Sequence, residues 1–221
     1  MGAGDMKKLC IAALLAGNAS LGLAHAEDGV ALPQNMWFVH VGAAGVFFDS
    51  GLNAATPAFK SSAFNVKATD NFTGLLEVGR YLNDNFSLSL AAGLPPTDDL
   101  WITVNGNNAS RVGAVTYGSV IAAAQYHFNL SPQFKPYVGV GASYNITFST
   151  QPNNPPYTSL AVANGFGAVL QAGAEIDVSK NVGVFVDVKK MFASTTVTVP
   201  GRVVDAHMNP WILSAGLNFR F

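Results

Sequence analysis

The sequence predicts an all-β fold: an eight-stranded, antiparallel, up-and-down transmembrane β-barrel with short periplasmic turns and four longer extracellular loops. Three observations predict it. Apolar residues recur at every second position through most of the chain. Short and long connections alternate between those stretches. The face opposite each apolar row is glycine, serine and a few charges, too sparse for a wetted surface. A period of two is the mark of strands with two different faces. A soluble sandwich or lipocalin-like barrel also alternates, but it turns its apolar row inward and its charges outward.

Taken in order, the first row is Trp37, Val39, Val41 and Ala43, and the second Phe72, Leu76 and Val78. The third is Phe86, Leu88, Leu90 and Ala92. The fourth runs from Val120 through Ala124 to Phe128. The fifth runs from Val138 to Phe148, opposed by Gly139, Gly141, Ser143, Asn145 and Thr147. The sixth runs from Phe166 to Val178 and the seventh from Val182 to Val188. The last is Trp211, Leu213, Ala215, Leu217, Phe219 and Phe221. Three connections are short and rich in turn formers: Asn83-Asp84-Asn85, Asn129 to Gln133, and Ser179-Lys180-Asn181. Four are long, near residues 49–71, 93–113, 149–164 and 192–209. One busy end and one tight end is the asymmetry of outer-membrane barrels, and an even strand number puts both termini on the periplasmic side. In lipid every backbone group needs an internal partner, so the sheet must close. Aromatics gather at the row ends, as interfacial girdles require. Trp37, Phe86, Tyr126, Phe128, Phe219 and Phe221 lie toward the periplasm, and Phe47, Phe72, Tyr144 and Phe148 toward the outside.

Composition agrees. Over 221 residues, 49% are hydrophobic and only 11% charged, too apolar for disorder and poor in charge for a soluble globule. A net charge of −1 points to no nucleic-acid partner. Residues 1–26 read as a secretory signal peptide, with Lys7 and Lys8 ahead of an apolar run and Ala24-His25-Ala26 as the cleavage site. Met6 is the more typical start, which would make Met1 to Asp5 an extension. Residues 27–221 would form the barrel. The lone Cys10 would leave with the leader, so disulfides, thiolate metal sites and cysteine nucleophiles are not expected. The expected location is the outer membrane of a Gram-negative bacterium.

Several segments resemble the outer membrane protein W (OmpW) family. Pro136-Tyr137-Val138-Gly139-Val140-Gly141 is similar to its P-Y-V-G-x-G strand, and Gln125-Tyr126-His127-Phe128-Asn129 to its Q-Y-x-F-N strand end. Asn209-Pro210-Trp211 through Phe219-Arg220-Phe221 is similar to its D-P-W to R-F ending, with Asn in place of Asp. Asp84-Asn85 resembles its first periplasmic turn. The resemblance implies a barrel that takes small hydrophobic molecules into a funnel from outside and releases them sideways into the bilayer, as in the related alkane-uptake porins. No cofactor is expected, and the chain is not expected to be an enzyme. The expected partners are outer-membrane lipid and lipopolysaccharide, small hydrophobic ligands, and the barrel-assembly machinery through the terminal Phe221.

Strand direction gives each inward residue a depth. His40, Glu77, Gln125, His127, Glu175, Asp177, Asn218 and Arg220 fall in the lower half or at the periplasmic rim. Asp187 falls near the middle and Lys189 somewhat above it. Val46, Phe48, Leu75, Tyr117, Val169, Met191 and Ile212 fall in the upper half. Phe38 and Phe185 break the sorting by pointing inward below. The polar set reads as an interior floor, with Glu175, Asp177, Lys189 and Arg220 as an ion-pair network. His40 and His127 read as satisfied interior histidines, and no metal-ligand spacing involves them. The apolar set either lines a ligand funnel or packs as core. Trp101, with Ile102, either lines the mouth or belongs to a short loop hairpin. An eight-stranded barrel is too narrow for the water-filled channel that about sixteen strands enclose. Two other functions remain open at this point. One is a structural anchor or surface receptor for bacteriocin or host contact, acting through the four long loops. The other is an outer-membrane acyl hydrolase, for which only His207, with Asp205 nearby and Ser194 across its loop, offers a constellation.

Overall fold

A computed structural model describes residues 37–48, 52–53, 64–68, 70–104, 110–131, 133–153, 159–199 and 202–221. The expected signal peptide and its cleavage site lie outside the described residues. The strands are β1 (Trp37–Phe47), β2 (Leu52–Asn53), β3 (Phe64–Ala68), β4 (Asn71–Tyr81), β5 (Phe86–Gly93), β6 (Thr97–Val104) and β7 (Ser110–His127). They continue as β8 (Phe134–Pro152), β9 (Ala161–Val162), β10 (Gly165–Asp177), β11 (Val182–Val199), β12 (Arg202–Met208) and β13 (Trp211–Arg220).

Eight of these close a ring. Going round it, β1 pairs with β4, β4 with β5, β5 with β7, β7 with β8, β8 with β10, β10 with β11, β11 with β13, and β13 with β1. Every pairing is antiparallel, so the sheet has no open edge at this level. The ends meet at the base: the Trp37 amide donates to the Phe221 carbonyl at 3.1 Å, and the Phe221 amide returns the bond at 3.1 Å. The fold class is the one the alternation predicts.

The long connections contain more strand than their composition suggests. β6 folds back on β7 and carries β3 beside it, and β3 in turn holds β2. β12 folds back on β11, with Val197 facing Val204 and Ser194 facing His207. The hidden signal was β-branched: Thr195-Thr196-Val197-Thr198-Val199 favours extended backbone. It showed no greasy row because strands that stand clear of the lipid need no apolar outer face. A register shift between Thr116 and Tyr117 of β7, opposite β8, bends the wall where these extensions begin.

The outer wall is apolar and exposed. Val140, Leu170, Val184, Val186, Leu213 and Leu217 all present their side chains outward. At one end Phe86, Tyr126 and Phe128 make edge contacts, with ring centroids 5.0 and 4.9 Å apart. At the other, Tyr144 meets Phe166 at 4.8 Å, and Lys190 sits 4.7 Å over the Trp211 ring while donating to the Asn209 carbonyl. Lysine snorkelling beside an indole marks an interface between lipid and water. Val186 lies midway along β11 between Lys190 and the tight turn before Val182. Val186→Arg is therefore expected to lower unfolding stability by about 2–4 kcal/mol, the range for a cation at the bilayer midplane. Urea titration in lipid vesicles would measure it.

Candidate functional site

The interior divides into two zones. The lower one is polar and filled. Glu175 at the base of β10 faces His40 of β1, whose Nε2 lies 3.0 Å from Oε1. Tyr81 donates its hydroxyl to Oε2 of the same carboxylate at 3.2 Å. Arg220 reaches Glu175 with one guanidinium nitrogen and donates to Asp177 with the other at 2.5 Å. Lys135 also donates to Asp177, at 2.9 Å.

One level higher, Lys189 of β11 donates to Asp187 at 2.5 Å and to Glu77 at 3.4 Å. Asp187 also receives Tyr137 at 2.9 Å, Gln171 at 2.7 Å and Ser214 at 3.3 Å. Gln125 donates to Glu77 at 2.7 Å, and Ser87 bridges Gln125 to His127. His40 joins the two levels, with Nδ1 3.8 Å from Glu77. Glu77, Glu175, His40 and Lys189 are all fully enclosed. Charges taken out of water persist only when paired and bonded in this way.

Rings fill the space between these charges. His40 stacks on Phe185 at 4.2 Å, and Phe38 lies 4.8 Å from His40. Two glycines make this possible. A Cβ at Gly79 would stand 2.1 Å from the Phe38 ring, and one at Gly173 would stand 2.5 Å from the Tyr137 ring. The inward Phe38 and Phe185 are thus part of the filling and no exception to it.

Above the floor lies a cavity of about 150 Å³. Its wall includes Val46, Phe48, Leu75, Tyr117, Met191 and Ile212, six of the eight residues assigned to an apolar funnel, and Lys189 forms its base. Ala91, Ile121, Val169, Met191 and Ala193 form a packed cluster, and all of them but Val169 also face the cavity. Val169 belongs to that cluster and is not on the cavity wall, so its assignment is corrected from lining to packing. Trp101 is corrected as well. It lies on β6 and is exposed, while its neighbour Leu100 faces the cavity. The short hairpin, the second of the two readings for Trp101 and Ile102, is the one that forms.

Sequence reasoning missed four participants. Tyr137 and Gln171 stand on inward positions of β8 and β10; Tyr137 enters the sequence reading only within the P-Y-V-G-x-G segment, and Gln171 has no role in it. Tyr81 ends its strand beside the turn. Asp98 lay inside a stretch read as loop; it is buried on the cavity wall, where it receives Asn71 and, at 2.8 Å, Tyr117. All ten residues of the polar set take inward places, from the periplasmic rim up to Lys189 at the base of the cavity. The constellation read as a hydrolase candidate reduces to one contact: Ser194 Oγ lies 2.9 Å from His207 Nδ1, the reach of side chains directly opposite on β11 and β12. The Asp205 side chain lies outside the described residues.

A closed ring of strands with a greasy outer wall and its charges sealed inside is a membrane-spanning barrel of the bacterial outer-membrane type. The sequence model of the OmpW family matches residues 35–221. The uncharacterized outer-membrane protein y4mB of Sinorhizobium fredii is 30% identical over 205 residues, covering 90% of this chain and 86% of that protein. The dibenzothiophene metabolism operon protein PahQ of Pseudomonas aeruginosa is 23% identical, covering 73% and 75%. The crystal structure of OprG from Pseudomonas aeruginosa superposes with a TM-score of 0.74 at 16% identity, over 85% of this chain and 96% of that one. The chain belongs to the OmpW family. It is an outer-membrane protein.

Proposed function

We propose that this barrel is a channel for the uptake of small hydrophobic molecules across the outer membrane. One observation carries the reading: an apolar cavity stands directly on a filled, charged floor. Apolar cavities of roughly 150 Å³ stay dry and accept guests the size of benzene. A guest that enters from the extracellular side meets Lys189 and the carboxylates beneath it. Going further would strip those charges of their partners, which is costly. Sideways exit through the wall into the bilayer avoids that cost. The operon named for PahQ concerns dibenzothiophene, an aromatic molecule of this hydrophobic kind, which supports the reading. Lipid and lipopolysaccharide surround the outer wall in this proposal, and Phe221 at the end of β13 is offered to the assembly machinery.

The test is uptake of a labelled n-alkane by whole cells with and without the gene. Cells with the barrel are expected to take it up several-fold faster. Equal rates in the two strains would reject the channel.

A further inference from the structure

The cavity wall carries polar groups, and most of them are already engaged. Lys189 is held by Asp187 and Glu77. Thr73 donates to the Leu94 carbonyl and Thr195 to the Ala163 carbonyl, both at 2.6 Å. One pair is different. Ser119 of β7 and Asn145 of β8 are direct partners in the ladder, both line the cavity, and Ser119 Oγ lies 2.5 Å from Asn145 Oδ1. The bond uses one end of the amide. Among the described residues the other end, Nδ2, meets no protein acceptor. Turning the amide over changes little: Nδ2 would then donate to Ser119, and the serine hydroxyl would be free to donate. Either way this pair presents an unused hydrogen-bond donor to an apolar space. Thr147, the next inward position on β8, adds a hydroxyl on the same wall.

Charge adds a second constraint. Asp98 is buried on the same cavity wall, with its carboxylate bonded to Asn71 and Tyr117 and no ion-pair partner among the described residues. Among the described residues the one ammonium on the wall is Lys189, which already faces two carboxylates. A carboxylate guest would find two acids around every cation and a third acid above.

Resting on the reading of this cavity as a site for hydrophobic molecules, we propose that it prefers neutral lipophiles bearing a single hydrogen-bond acceptor, and that it rejects fatty-acid anions. Ser119 and Asn145 would hold the acceptor, and Asp98 would repel the anion. In cells lacking other uptake routes, three labelled probes of equal chain length are compared: an n-alkane, a methyl ketone and an ionised fatty acid. Asn145→Leu is expected to lower the ketone-to-alkane uptake ratio about fivefold, within the range for one net hydrogen bond. Asp98→Asn is expected to raise the fatty-acid-to-alkane ratio about threefold or more, through loss of like-charge repulsion. Heat-shifted migration on gels checks that each barrel has assembled, and Asn145→Ala replaces Asn145→Leu if the larger side chain prevents it. Ratios that stay at the wild-type values in assembled variants would overturn the proposal. Alkane uptake by wild-type cells no faster than by cells without the barrel would instead overturn the channel reading beneath it.

Discussion

Leu75→Asp is expected to cut n-alkane uptake about fivefold or more in cells whose barrel still assembles. Leu75 lines the cavity beside the packed cluster of Ala91, Ile121 and Met191, with Ile212 also against that cluster. Among the described residues no cation there is free to pair with a new carboxylate, since Lys189 already holds Asp187 and Glu77. The Asp would keep water with it, and a guest would have to displace that water. Stripping an unpaired polar group costs about 1–3 kcal/mol in mutational data. At about 1.4 kcal/mol per factor of ten, that is roughly five- to a hundredfold in occupancy. Gel migration after heating shows whether the barrel has formed, and initial uptake rates give the effect. Uptake at the wild-type rate in an assembled variant would mean that the apolar wall is packing alone.

Lys189→Met is expected to destabilise the barrel by about 3–5 kcal/mol, the cost of breaking a buried pair from one side. The methionine fills similar space, so packing loss is small. What remains is Glu77 and Asp187 enclosed without the ammonium between them. The neutral combination Glu77→Gln, Lys189→Met and Asp187→Asn should recover most of the loss, because it removes both stranded charges. Equilibrium unfolding in urea with lipid vesicles, followed by tryptophan fluorescence, measures both variants. A loss of under about 1 kcal/mol for Lys189→Met would place the cluster among weak surface-type pairs.

The membrane-spanning part of this fold was legible because lipid allows so few solutions. Once the sheet must close, a period of two assigns each residue to lipid or lumen, and strand direction assigns its depth. His40, Glu77, Gln125, Glu175 and Arg220 could be placed together in one floor from those two rules. The same rules could have placed Tyr137 and Gln171, which share parity with Gly139 and Glu175 on their strands. Both are neutral and carry no charge whose burial would demand a partner, so parity alone does not single them out. Asp98 and Trp101 failed for another reason. Above the lipid the outer face is wetted, and β6 carries only a short apolar row, Leu100, Ile102 and Val104, opposed by Asp99, Trp101 and Thr103. Once β6 is recognised, plain alternation turns Leu100 inward and Trp101 outward. Val169 shows a third limit: parity says that a side chain points inward, not whether it meets a cavity or a neighbour. Its packing depends on the side chains around it, Met191 being its ladder partner on β11 and Ile121 a residue of β7.

The central claim is that the space above Lys189 takes an apolar guest. The most direct measurement is a crystal of the barrel soaked with a terminally brominated alkane, with the bromine located by anomalous scattering. The account predicts a bromine peak inside the barrel, among Leu75, Ile121, Met191 and Ile212. Bromine found only on the outer wall, beside residues such as Val140, Leu170 and Leu213, would contradict it.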